Sequence, residues 1–166
     1  MDPIMPLGAA MTIRKAVLSD APAVAAVHVR SWQTTYRGHM PDSFLDNLSL
    51  EARLPLWQRD IPSGYVWVAL ADDEVVGFAC AGPSHEPDAA SELYAIYFLQ
   101  SAQGTGLASP LAHAALEGFT DTTLWVLTDN KRARRFYERL GFVLDGTTRQ
   151  ETIGGAVVDE VRYRRS

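Results

Sequence analysis

The segment Gln103-Gly104-Thr105-Gly106-Leu107-Ala108 constrains the fold more than any other stretch of this chain. It follows Ser91 to Leu99, a strand-like run rich in aromatic and aliphatic residues, and precedes an apolar, helix-compatible stretch that reaches Gly118. A strand that passes into a helix through spaced glycines leaves the first helical N–H groups unpaired and pointing outward, and the missing Cβ atoms let a ligand approach the backbone. Such a turn can cradle a pyrophosphate. Glycines at a tight strand-helix turn also serve purely structural ends, so the segment alone leaves both readings open. It lacks the Gly-Lys-Ser/Thr ending of a nucleoside-triphosphate loop and the full dinucleotide fingerprint.

The rest of the chain alternates strand and helix signals around this turn. Thr12 to Ala16 reads as a short strand, and Ser19 offers an N-cap hydroxyl with Pro22 in the first turn of a helix that carries Val24, Val27 and Trp32 toward Tyr36. Gly38 and Pro41 mark a turn, after which Pro41 to Leu48 and Leu50 to Arg59 read as helices with Phe44, Leu45, Leu54 and Trp57 on inner faces. Tyr65 to Leu70 and Val75 to Ala81 form a predicted hairpin about the acidic turn Ala71-Asp72-Asp73-Glu74. Thr122 to Leu127 is a further strand, and Asn130 to Leu140 a helix with Ala133, Phe136, Tyr137 and Leu140 on one stripe, closed by Gly141. Phe142 to Arg149 and Val157 to Arg164 close the chain as two strands joined near Gly154-Gly155. The order predicts an α/β fold.

Composition narrows the function classes. With 166 residues and 47% apolar content the chain suits one core, expected over residues 11–166, with Met1 to Ala10 a poorly ordered extension and Met11 a candidate natural start. A net charge of −5 argues against nucleic acid as a partner. No apolar run approaches the ~20 residues that cross a bilayer, and the opening residues lack the pattern of a signal peptide. Cys80 is the only cysteine, which excludes an intramolecular disulfide and suits a reducing cytoplasm. His28, His39, His85 and His113 show no metal-ligand spacing, so no metal is expected.

The decisive pattern lies about 25 residues after the glycine turn. Asn130, Ala133, Phe136, Tyr137, Gly141 and Phe142 form N-x-x-A-x-x-F-Y-x-x-x-G-F. Together with Gln103 to Ala108, this resembles the two acetyl-coenzyme A motifs of the GNAT superfamily of N-acetyltransferases, and the order of elements matches over roughly Thr12 to Arg164. The resemblance implies a mixed central sheet of about seven strands, flanked by helices and splayed between its two central parallel strands. It implies acetyl-coenzyme A as cofactor. The backbone from Gln103 through Gly104, Thr105, Gly106, Leu107 and Ala108 to Ser109 would hold the pyrophosphate, and Ile96, Tyr97 and Phe98 would pair with the pantetheine arm like an added strand. Asn130 and Ala133 would contact the cofactor as well. A main-chain N–H near Phe98 could polarise the thioester carbonyl.

The same resemblance makes Tyr137 the proton donor to the departing thiolate, a role suited to a phenol whose reference pKa of ~10 exceeds the thiol's ~8.5. The alternative is a stripe residue packed under the sheet. An acceptor amine near pKa ~10.4 must lose a proton before it attacks. Glu92 stands where some members carry the base, although a solvated strand end or a contact to the substrate's ammonium fits it equally. The family's other frequent glutamate would fall near Trp125, and none is there. Trp32, Tyr36 and Tyr94, with Phe44 and Trp57, are candidates to line the acceptor site, although taken singly each fits a core position better than a ligand contact. Lys131, Arg132, Arg134 and Arg135 could reach phosphates or form a solvated face. Gln100 replaces a common proline, and Pro110 costs little if its helix begins near Leu107.

The leading expectation is an enzyme that acetylates a primary amine of a small molecule or peptide, with a homodimer suggested by two open sheet edges and the family's habit. The competing expectation is a non-catalytic module of the same fold that binds acetyl-coenzyme A or scaffolds a partner. A nucleotide-binding regulator is disfavoured by the missing lysine.

Overall fold

Two aspartates in left-handed backbone conformations fix the first hairpin. In the computed structural model, which describes residues 10–166, strands β2 (Val66–Ala71) and β3 (Glu74–Pro83) are joined by Asp72 and Asp73 at φ 49° and 69°. Two consecutive positive φ angles give the type I′ turn whose twist matches that of the flanking strands. Asp72 also ties down the chain start. Its N–H donates to the Ala10 carbonyl at 2.8 Å and its Oδ1 accepts from the Ala10 N–H at 3.0 Å, which aligns β1 (Met11–Lys15) antiparallel to β2. Ala10 is therefore held in place, against the expectation of a loose extension through residue 10. Met1 to Ala9 lie outside the described residues.

The first helix starts later than its sequence signals. Leu18–Asp20 forms a 3-10 turn and α1 spans Ala21–Thr35, so Ser19 does not cap it. Asp20 stands at the helix start, but its carboxylate takes a two-pronged bond from Arg14 at 2.7 and 3.1 Å and a third from the Val17 N–H at 2.8 Å. The Arg14 guanidinium holds Asp20 below the usual carboxylate range. A charge-assisted fork outcompetes a hydroxyl cap. Helices α2 (Asp42–Asp46) and α3 (Leu50–Asp60) follow.

Past the hairpin come β4 (Ser91–Phe98), α4 (Ala108–Leu116), β5 (Thr122–Leu127), α5 (Lys131–Arg139), β6 (Val143–Ile153) and β7 (Ala156–Arg165). Leu107 is the N-cap of α4, which puts Pro110 in its first turn where no intrahelical N–H is lost. The strands form one seven-stranded sheet in the order β1-β2-β3-β4-β5-β7-β6, antiparallel throughout except between β4 and β5. Alternation along the strands divides the core. Val66, Val68 and Phe78 pack with Val24, Val27 and Trp57 of α1 and α3, whereas Ala69, Ala79, Phe98 and Leu124 pack with Leu111 and Ala115 of α4 and with Phe142. On that second side Tyr137 of α5 and Leu140 at its C-cap cover the cluster.

The end of α5 is a Schellman motif. Gly141, at φ 95°, donates to the Glu138 carbonyl at 3.1 Å, and Phe142 donates to the Tyr137 carbonyl at 3.0 Å. The rings of Tyr137 and Phe142 meet 6.2 Å apart, the apolar contact that accompanies this closure. The cap thus orients Tyr137.

His28, half-buried on α1, accepts a hydrogen bond at Nδ1 from the Trp57 indole N–H at 3.2 Å. Burial pushes its pKa down to about 4. A protonated ring could not accept that bond, and unfolding releases the imidazole toward its ordinary value of ~6.5. The unfolded chain therefore binds more protons between those values, so stability should fall as pH drops from about 6.5 toward about 4, at most by about 1.4 kcal/mol per pH unit from this group. Denaturation of the wild type and of His28→Gln across this range checks it: the variant should lose that part of the slope.

Candidate active site

Strands β4 and β5 pair at only two positions, Ser91 with Thr122 and Glu92 with Thr123. Beyond Glu92 they part, and the β5-facing edge of β4 has no partner strand among the described residues. The parting opens a cavity of about 790 Å³ at the carboxyl ends of both strands. Ligands of open α/β sheets bind at such ends.

Both strand-to-helix connections border this opening. Gly104 and Gly106 line it at φ 79° and 84°, with open space where each Cβ would stand, and the N-terminal turn of α4 follows with Ala108 and Ser109 also lining it. On the other side Asn130 begins α5, its Oδ1 accepting from the Ala133 N–H at 3.2 Å. The Arg132 guanidinium donates to the Gln103 side-chain oxygen and so links the two connections. Two helix starts facing one cavity supply partial positive charge and unpaired donors. These residues fit a diphosphate-bearing thioester: the glycine cradle is open to it, and Arg132 and Arg139 also line the cavity.

Most residues singled out in the sequence come together here. Ile96, Tyr97, Phe98, Gln103, Gly104, Gly106, Ala108, Ser109, Asn130, Ala133 and Tyr137 line the cavity, as do Trp32, Tyr36, Glu92 and Tyr94. Thr105 and Leu107 do not: the Thr105 hydroxyl donates to the Ala102 carbonyl at 2.6 Å, and the Leu107 side chain is buried under α4. Trp57 and Phe44 also fall elsewhere. Trp57 is core, and Phe44 packs on the β6–β7 turn, where a side chain at Gly154 would strike its ring.

Three phenols gather in the cavity wall. The Tyr36 and Tyr97 hydroxyls share a hydrogen bond of 2.7 Å, and the Trp32 ring meets Tyr36 edge-on with centroids 4.9 Å apart. Burial, first of all, pushes the pKa values of Tyr36, Tyr97 and Tyr137 upward, and for Tyr137 a charge on Tyr36 would add to the effect. Each holds its proton at neutral pH. Glu92 accepts weakly from the His85 N–H at 3.4 Å. The Tyr94 hydroxyl donates to the Pro83 carbonyl, and burial raises its pKa to about 12.

Sequence reading missed Arg149, Glu151 and Glu160, which reach the cavity from β6 and β7. Arg149 bonds to Glu160 at 2.9 Å, lies 3.3 Å from Glu151 and stacks 4.1 Å over the Trp125 ring. Alternating charges along a closing hairpin read as a solvated surface, so the only signal was a strand long enough to reach the cleft.

The sequence profile of the Acetyltransferase (GNAT) family matches residues 28–142, which span both cavity-bordering turns. The chain belongs to the GNAT acetyltransferase family. It is 35% identical over 130 residues to the uncharacterized N-acetyltransferase YuaI of Bacillus subtilis (strain 168), covering 72% of this chain and 73% of that protein. With the uncharacterized N-acetyltransferase Rv2669 of Mycobacterium tuberculosis (strain ATCC 25618 / H37Rv) it shares 32% identity over 144 residues, 84% of this chain and 83% of the relative. In fold it is similar to the PaiA N-acetyltransferase from Thermoplasma acidophilum, solved in complex with coenzyme A, with a TM-score of 0.72 at 18% identity over 93% of this chain and 99% of that one. The splayed seven-stranded sheet is thus the GNAT fold, as the motifs implied.

In this acetyltransferase Asn130 spends its side-chain oxygen on the cap of α5. Asn130→Ala should cost about 1 kcal/mol of stability in chemical denaturation, whereas Asn130→Asp, which keeps the acceptor, should cost much less.

Proposed function

We propose that this GNAT acetyltransferase moves the acetyl group of acetyl-coenzyme A to a primary amine of a small molecule or peptide by direct attack. The observation that carries the reading is the placement of Tyr137, a protonated phenol, in the wall of the cavity that the two helix starts and the open β4 edge enclose. Acetyl-coenzyme A supplies an activated acyl group on sulfur. Backbone donors from Gly104 to Ser109, with Arg132 beside them, would bind its phosphates, the Gln103 N–H being taken by the Gln100 carbonyl at 3.2 Å; the strand-free edge at Ile96 to Phe98, where the Phe98 carbonyl accepts from the Ser31 hydroxyl at 3.2 Å, would align its arm.

The chain's own groups then divide the proton work. Glu92 sits where β4 and β5 begin to part and takes the proton that the ammonium must lose, through water. Tyr137 Oη holds the proton that a departing thiolate needs, and burial keeps that proton in place before the step. Tyr36 and Tyr97, bonded to each other, hold the aromatic wall closed on the acceptor side with Trp32. The setting is the cytoplasm, in keeping with a lone buried thiol at Cys80. A homodimer formed through an outer edge, β1 or β6, completes the proposal; Val143 and Leu144 are exposed on β6.

Coenzyme A release, followed with a thiol reagent across a library of amines, tests the reading. Tyr137→Phe should leave the dissociation constant for coenzyme A within about twofold and lower turnover by roughly 10²-fold or more. Unchanged turnover would remove Tyr137 from the chemistry, and binding of coenzyme A with no amine ever consumed would favour a binding module.

A further inference from the structure

Arg162 of β7 is buried, with a side chain only 5% exposed, and does not itself line the cavity. A guanidinium has five N–H donors, and each of these finds an acceptor. Nε donates to Asp145 at 2.7 Å, Nη1 to Asp88 at 2.9 Å and Glu86 at 3.3 Å, and Nη2 to Asp88 at 2.6 Å and Thr147 at 3.2 Å. Asp145 and Thr147 belong to neighbouring β6. Glu86 and Asp88 belong to the loop between β3 and β4, more than 70 residues away in sequence, so Arg162 fastens that loop to the far side of the sheet.

What the loop carries is the acceptor end of the cavity. Glu86, held by Arg162 through one oxygen, accepts from the Trp125 indole N–H at 2.7 Å through the other. The neighbouring His85 contacts Glu92 at 3.4 Å from both its backbone N–H and its ring, and its ring lies 4.9 Å from that of Tyr94. Trp125, Glu92 and Tyr94 all line the cavity. From this geometry we infer that Arg162 is a positioning residue for the acceptor subsite, acting through Glu86 and Asp88 to fix Trp125, Glu92 and Tyr94. The inference rests on the reading of the cavity as the acetyl-transfer site, and it separates the cavity's two ends: the glycine turn and α5 share no bond with Arg162, so the donor end should not depend on it.

Two substitutions loosen the clasp from opposite sides. Asp88→Asn acts on a carboxylate that is 55% exposed, so folding is not at stake, and Arg162→Lys keeps the charge but loses the fork. Hydrogen exchange at the His85 and Glu86 amides should quicken by about tenfold in either variant, as local opening becomes easier. Acrylamide quenching assigned to Trp125, by difference against a Trp125→Phe partner in each background, should rise by about twofold or more as the indole loses its anchor. Coenzyme A affinity should stay within about twofold, and Asp88→Glu should restore the slow exchange. Unaltered exchange and quenching in both variants would overturn the inference, as would a coenzyme A affinity that weakens in step with them. Failure of the wild type to bind coenzyme A would instead sink the acetyl-transfer reading, while exchange and quenching would still decide whether Arg162 holds this end of the cavity.

Discussion

The separation of β4 from β5 after a single pair of rungs is the constraint on which the rest of the molecule depends. A parallel pair that stayed in register to its carboxyl ends would satisfy its own backbone groups and leave no slot. Here the pairing stops at Glu92 and Thr123, and the strand edge beyond must find its partners elsewhere. The flanking sheet bears the cost of that opening. β3 holds the other edge of β4 over nearly its whole length, and β7 holds β5 through six registered positions, so the two halves stay rigid while the middle gapes. Core side chains on both faces fix the halves further.

Charge and burial then vary along the wall of the gap. At the end bordered by α4 and α5, helix starts, glycines and Arg132 gather positive potential and accessible donors. Glu92, Glu151 and Glu160 line the same cavity among aromatic rings, with Arg149 engaged by two of the three carboxylates. The phenols of Tyr36, Tyr97 and Tyr137 share that wall, desolvated enough that none ionises near neutrality. An anionic donor and an amine acceptor would thus meet across groups that hold protons.

Much of this was legible in the sequence because it is local. The glycine turn and the Gly141 closure are each written within a few residues and obey backbone geometry that little else can satisfy, whereas the capping bond of Asn130 emerges only from the structure. The Asp72-Asp73 turn belongs with them. Ser19 misled because its competitor, the Arg14–Asp20 fork, joins a strand to the next helix start and leaves no periodic trace. Arg149, Glu151, Glu160 and Arg162 were illegible for a stronger reason. Apart from the Arg149–Glu151 contact within β6, their partners lie on other strands or on a loop far away in the chain, and alternating charge on β6 and β7 looks like solvated surface until the sheet order places it beside the cleft. Trp57 and Phe44 follow the commoner rule, since an aromatic residue near a site is more often holding a wall up than facing inward.

The most direct measurement is a backbone amide NMR titration with coenzyme A. If the gap between β4 and β5 is the donor slot, shifts should concentrate at Gly104, Gly106, Ala108 and Ser109 and along Ile96 to Phe98, and leave β1 and α3 unmoved. Saturable binding that perturbs other segments while those amides stay still would contradict the account at its base.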